Sequence, residues 1–201
     1  MRPRMTLAAL LGAGLAAGLV TVLPAPRDAE PGAKDQVQLV ASANPNGNSS
    51  GDGKPLVINS LDGKPILRVA DLQPGRSRSG QVTVKNAGSA PQAVSVWQNN
   101  LATGPANRPN LAARTRLTVH DDALNKTLYA GAYKDFPAMQ RPLQVCGLPR
   151  NKESCPAWAK GESHVFTFTV TLPDAPAGSG TDINTYQSTW LRSEFDWASV
   201  I

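Results

Sequence analysis

The sequence predicts an all-β fold, a two-sheet antiparallel sandwich of the jelly-roll or immunoglobulin-like kind with seven to nine strands. Three observations carry that reading. Short runs alternate polar and apolar residues, most clearly from Ser163 to Leu172, where Phe166, Phe168, Val170 and Leu172 fall on one face and Thr167, Thr169 and Thr171 on the other. Seventeen Gly and 17 Pro among 201 residues punctuate the chain with turns. No stretch after the N-terminal region sustains a 3.6-residue period.

The first 29 residues read as an export signal. Arg2 and Arg4 precede an unbroken apolar run from Thr6 to Leu23, and Ala25 and Ala29 are candidate cleavage positions. An uncleaved anchor is the alternative, because 18 apolar residues are just long enough to cross a bilayer. Residues 30–54 are rich in Pro, Gly, Asn and Ser and are expected to be a disordered spacer, with Val37 to Leu39 its only apolar piece. Asn48-Ser49-Ser50 within it matches a glycosylation sequon. The folded domain is expected to cover residues 55–201.

Within that domain, Leu56 to Ile58 and Pro65 to Val69 flank Asp62-Gly63, the signature of a hairpin. Pro74-Gly75 suits the central positions of a type II turn, with Gly at the position of positive φ. Residues 79–85 follow as a strand, closed by Asn86-Ala87-Gly88, where Asn and Gly can enter the left-handed region cheaply. Lys160-Gly161-Glu162-Ser163 repeats the turn-then-strand logic ahead of the Ser163 strand. Between them come a strand over Gln92 to Trp97 and a Pro/Asn/Gly-rich surface loop over 101–113. Strands over 116–120 and 127–131 follow, joined by a turn at Leu124 to Lys126. Residues 132–140 hold one helical turn, and Leu143 to Cys146 form a short strand. A last strand runs from Asn184 to Trp197, its phase slipping between Trp190 and Phe195 as at a bulge.

Charge and cysteine usage restrict the partners. The net charge is +5, of which Arg2, Arg4, Arg27 and Asp28 supply +2, and no dense basic patch marks a nucleic-acid site. Cys146 and Cys155, the only cysteines, enclose a Gly/Pro-containing loop and are expected to close as a disulfide outside the cell. A loop of that size gains roughly 2–3 kcal/mol. Free thiols or half of a metal site are the other readings.

Several motifs together resemble the camelysin and TasA family of exported bacterial proteins. They are Leu72-x-Pro74-Gly75, Asn86-x-Gly88, Arg116-Leu117-Thr118-Val119, Leu128-Tyr129-Ala130-Gly131, Gly161-Glu162-Ser163, Phe166 to Val170, Leu172-Pro173-Asp174 and Thr189-Trp190, within residues 56–198. The resemblance implies a jelly-roll-like sandwich, secreted or held at the cell surface. It implies fibre assembly in some relatives and a surface metalloprotease in others. This chain departs from the pattern in its cysteine loop and in an insertion over 101–113.

The residues themselves favour a non-catalytic protein without a cofactor. A catalytic metal needs about three protein ligands and a base. The chain offers only His120 and His164, no His-Glu-x-x-His and no Gly-x-Ser-x-Gly, so His120, Asp121 and Asp122 are the weak candidates for a metal. Asp121, Asp122, Asp174, Asp182 and Asp196 are candidate calcium ligands, although Asp is common at turns. Arg76 and Arg78 beside Lys85 could attract an anionic polymer, or guard a sheet edge. Trp97, Trp158, Trp190 and Trp197 are candidates for a sugar platform, with at least two expected in the core and Tyr186 and Trp190 the best placed outside it. The expected function is surface contact or assembly in the cell envelope or extracellular matrix. The partner would be an envelope protein or a second copy, with membrane contact only through the N-terminal segment. A camelysin-like metalloprotease, or a calcium- or carbohydrate-binding module, is the alternative.

Overall fold

Alternating side chains can bury one face of a strand only against a second layer, and this chain supplies that layer itself. The computed structural model describes residues 37–43, 56–58, 64–70, 72–146, 156–174, 186 and 188–200. They contain ten strands: β1 (Val37–Ala43), β2 (Leu56–Ile58), β3 (Lys64–Val69), β4 (Arg76–Asn86), β5 (Ala93–Gly104), β6 (Arg116–Asp121), β7 (Lys126–Ala132), β8 (Leu143–Cys146), β9 (Ser163–Leu172) and β10 (Trp190–Val200). One sheet has the order β3-β1-β10-β5-β8 and the other β2-β4-β9-β6-β7. The result is an all-β sandwich of two five-stranded sheets, antiparallel throughout except where β1 runs parallel to β10.

The core lies between β9 and β10. Phe168 of one sheet meets Phe195 of the other at 4.7 Å between ring centroids, and Phe166 meets Trp197 at 4.5 Å. His164, Phe166, Phe168, Val170 and Leu172 point inward from β9, as the alternation predicts. A fully buried aromatic or large aliphatic side chain contributes about 1.5–3 kcal/mol, so this row is the main source of cohesion between the layers. Tyr133, in a 3₁₀ turn over Tyr133–Asp135, hydrogen-bonds Ser193 of β10 from full burial. Burial pushes its phenol upward, against the pull of the Ser193 hydrogen bond.

Several expectations need correction. Residues 30–54 are not a spacer throughout, because Val37–Ala43 is β1, hydrogen-bonded on both sides. Its segment has too few apolar residues to order itself, but the slot between β3 and β10 supplies the missing surface. β1 is also the one strand beyond the expected seven to nine. The hairpin across Asp62-Gly63 does not form: β2 pairs with β4 in one sheet and β3 with β1 in the other, so the chain crosses between layers there. Residues 59–63 themselves lie outside the described residues.

The surface loop over 101–113 is partly structured. β5 continues to Gly104, and a short helix α1 (Leu111–Arg114) buries Leu111 and Ala112. Asn110 caps α1 by accepting the N–H groups of Ala112 and Ala113, a local hydrogen bond that a Pro/Asn/Gly count does not reveal. The bulge expected between Trp190 and Phe195 is present, although β10 itself keeps one phase, with Leu191, Ser193, Phe195, Trp197 and Ser199 all buried. The irregularity belongs to the pairing of β10 with β5, whose register shifts between Arg192 and Glu194, where Asn100 of β5 takes φ 49°. Trp190 faces the opposite side, its ring against Gly104.

Candidate functional site

Consecutive residues on a strand point to opposite faces, and this separates the candidate metal ligands. Asp121 is fully buried on the inner side of β6. His120 lies on the outer side, 3.3 Å from the Thr127 hydroxyl. Asp122 is exposed just beyond β6, where it accepts from Gln81 of β4 and Thr167 of β9. His164 is buried on β9, so the two imidazoles do not converge. Among the described residues no three His, Cys, Asp or Glu side chains come together around a point where an ion could sit.

The calcium candidates are scattered in the same way. Asp174 sits after β9, its carbonyl accepting from Arg114, while Asp182 is outside the described residues. Asp196 lies on the other sheet, hydrogen-bonded by Asn99 at 3.1 Å. Burial raises its carboxyl above the ordinary range; Asn99 opposes that and the neighbouring Glu194 adds to it. Of the four tryptophans, Trp97, Trp158 and Trp197 are buried, Trp190 is half-buried, and Tyr186 packs partly against the core. They form no open aromatic platform among the described residues.

Arg76 and Arg78 fall on the same strand phase as Val82 and Val84 yet are exposed, because β2 covers only the far end of β4. Charges in the inward phase of a partly unpaired strand discourage edge-to-edge association. Lys85 is exposed on the opposite phase, so the three cations do not form one patch.

The turn residues do come together. Pro74-Gly75 forms the expected turn: Gly75 takes φ +69°, and the Arg76 amide donates to the Gln73 carbonyl at 3.0 Å. A Cβ on Gly75 would lie 2.8 Å from the Asp174 carboxylate, so the position needs Gly for space as well as for φ. Asn86 works differently from the expectation. Neither it nor Gly88 has positive φ; instead the buried Asn86 amide donates to the carbonyls of Ala90, Trp158 and Ala159 at 2.9–3.1 Å and accepts the Gly88 N–H at 2.9 Å. Its backbone exchanges hydrogen bonds with the second turn, from the Asn86 N–H to the Glu162 carbonyl and from the Gly161 N–H to the Asn86 carbonyl, with Gly161 at φ +82°. The two turn-and-strand signals in the sequence are thus parts of one lock.

Sequence reasoning missed what this lock holds. His164 is buried with its Nδ1 2.7 Å from Asp121 and its Nε2 2.9 Å from Glu162, and its ring stacks on Trp158 at 4.3 Å. The signal was a His in the inward phase of an otherwise apolar row. Both ring nitrogens face carboxylates, so neither is left to accept a proton from a nucleophile. That geometry does not perform the general-base step of a hydrolase.

The other notable site is the slot that β1 fills. Val37, Leu39 and Ala41 are fully buried toward the core, and Gln38 and Val40 on the other face are also buried. The strand is paired from Val37↔Leu191 to Ala43↔Trp197 with β10, and from Val37↔Val69 to Ala41↔Lys64 with β3, the latter register shifting after Leu39. β1 carries no charged residue. Cys146, the end of β8, is buried and is not a free thiol. Cys155, the export segment 1–29 and the sequon at Asn48 lie outside the described residues. Comparison of the sequence with known protein families and with characterised proteins finds no match.

Proposed function

We propose that this is an exported, non-catalytic β-sandwich of the cell envelope or extracellular matrix that assembles with another copy by exchanging β1. The export pattern of residues 1–29 and the resemblance to the camelysin and TasA family support the location. A Cys146–Cys155 disulfide suits that compartment. The single observation that carries assembly is the placement of β1, an uncharged strand buried between β3 and β10 and joined to β2 through residues 44–55.

A sandwich without β1 presents two unpaired strand edges flanking an apolar slot, and such edges recruit another strand. The slot accepts the chain's own strand or an identical one from a neighbour with the same contacts. Exchange of that kind is domain swapping. Twelve connecting residues span at most roughly 40 Å when extended, enough to reach an adjacent sandwich.

The test uses the mature chain lacking residues 30–43, with a synthetic peptide of sequence VQLVASA added back. Binding of the peptide, with recovery of a cooperative unfolding transition, supports the reading, as does loss of oligomers from the deleted chain by light scattering. A deleted chain that folds and assembles like the full one, without taking up the peptide, would sink it.

A further inference from the structure

The Glu162–His164–Asp121 chain has a proton count that fixes its behaviour. An ionised carboxylate only accepts hydrogen bonds, and an imidazole donates from both nitrogens only when it carries two protons. With carboxylate oxygens 2.7 Å from Nδ1 and 2.9 Å from Nε2, both contacts are hydrogen bonds only if the chain holds one proton more than two carboxylates and a neutral ring. When that proton leaves, one contact sets acceptor against acceptor.

The two arms are not equivalent. Asp121 is wholly buried and its other oxygen accepts the amides of Ala123 and Leu124, so it is fixed by the turn after β6. The Glu162 side chain is 39% exposed and can turn to water. Its second oxygen accepts the Ala159 amide at 2.6 Å, and its backbone N–H donates to the Ala159 carbonyl, so this carboxylate staples the turn that carries Trp158. Val84 of β4 is the residue opposite His164, and Lys85 beside it is exposed on the other phase of that strand.

We propose that this chain is a proton-operated latch on the turn over residues 158–162, closed while the extra proton is held and released when it leaves. Release frees Glu162 and loosens the turn while Asp121 and the strands stay in place. The inference is independent of the assembly reading.

The test follows the His164 ring nitrogens by NMR across pH in the intact mature chain. It also follows hydrogen exchange of the Gly161 and Glu162 amides against the Phe168 and Val170 amides of the same strand system. In the wild type, the ratio of protection between the two sets is expected to fall about tenfold or more as the ring loses its second proton, the effect of losing one charge-assisted hydrogen bond. In Glu162→Gln the amide nitrogen can donate to the neutral ring while the amide oxygen keeps the Ala159 N–H, so the turn holds once the ring has lost its second proton and the fall is expected to disappear. A wild-type ratio that stays flat while the ring titrates overturns the proposal. A ring that never holds two protons while the protein is folded also overturns it.

Discussion

Leu39→Ala is the sharpest test of the central strand. Leu39 is fully inaccessible, lies between Leu67 of β3 and Ser193 of β10, and belongs to the cluster that joins the two layers. Truncating a buried Leu removes its transfer free energy and leaves a cavity, at a cost of about 2–5 kcal/mol. That is a large part of the 5–15 kcal/mol typical of a domain. A residue in an unstructured spacer would cost less than about 0.5 kcal/mol. Urea unfolding of both proteins reads the difference: with an m-value of about 1–3 kcal/mol/M, a loss of 3 kcal/mol lowers the midpoint by about 1–3 M at unchanged slope. Val57→Ala, at an exposed position of β2, is the control and should move the midpoint little. If Leu39→Ala behaves like Val57→Ala, β1 does not belong to the core and the argument for strand exchange falls with it.

Three further outcomes follow from the same geometry. Asn86→Ala leaves buried carbonyls without donors and should cost about 2–4 kcal/mol in the same unfolding assay, with enhanced exchange at Gly161. Gly80→Ala should destabilise by more than about 2 kcal/mol in thermal melts, because a Cβ there would collide with the backbone carbonyl of Ile66. Asp196→Asn tests the raised carboxyl: folding disfavours its ionised form, so the group's contribution is most favourable below its ordinary value of 3.8 and declines as pH climbs through the raised folded value. The variant lacks that decline, so its stability relative to wild type should rise over this interval and then level off; parallel stability curves would refute the assignment.

The layers of the sandwich were legible because period-two alternation is a local property, and β9 displays it over ten residues. Pairing was not. Leu56 to Ile58 and Lys64 to Val69 look like a hairpin to any rule that reads adjacency, yet each finds its partner in a different sheet. β1 was half hidden for a related reason: only the apolar piece Val37 to Leu39 marked it within a polar segment, and its order comes from the neighbours on both sides. The candidate metal residues were adjacent in sequence and therefore split by the pleat, whereas the Asp121, Glu162 and His164 cluster draws on two distant segments. Asn86 and Gly161 were identified as turn residues, and the missing information was the hydrogen bonding that joins one turn to the other.

The seam between β1 and β10 links Val37 to Leu191, close to the two limits of the described fold. Contacts of such long range must close a large loop before they return any free energy, which makes acquisition of the native state slow. A nascent chain therefore stays unfinished until β10 has been made. Under the export proposed above, that delay would keep the chain from collapsing into its final form before it has crossed the membrane.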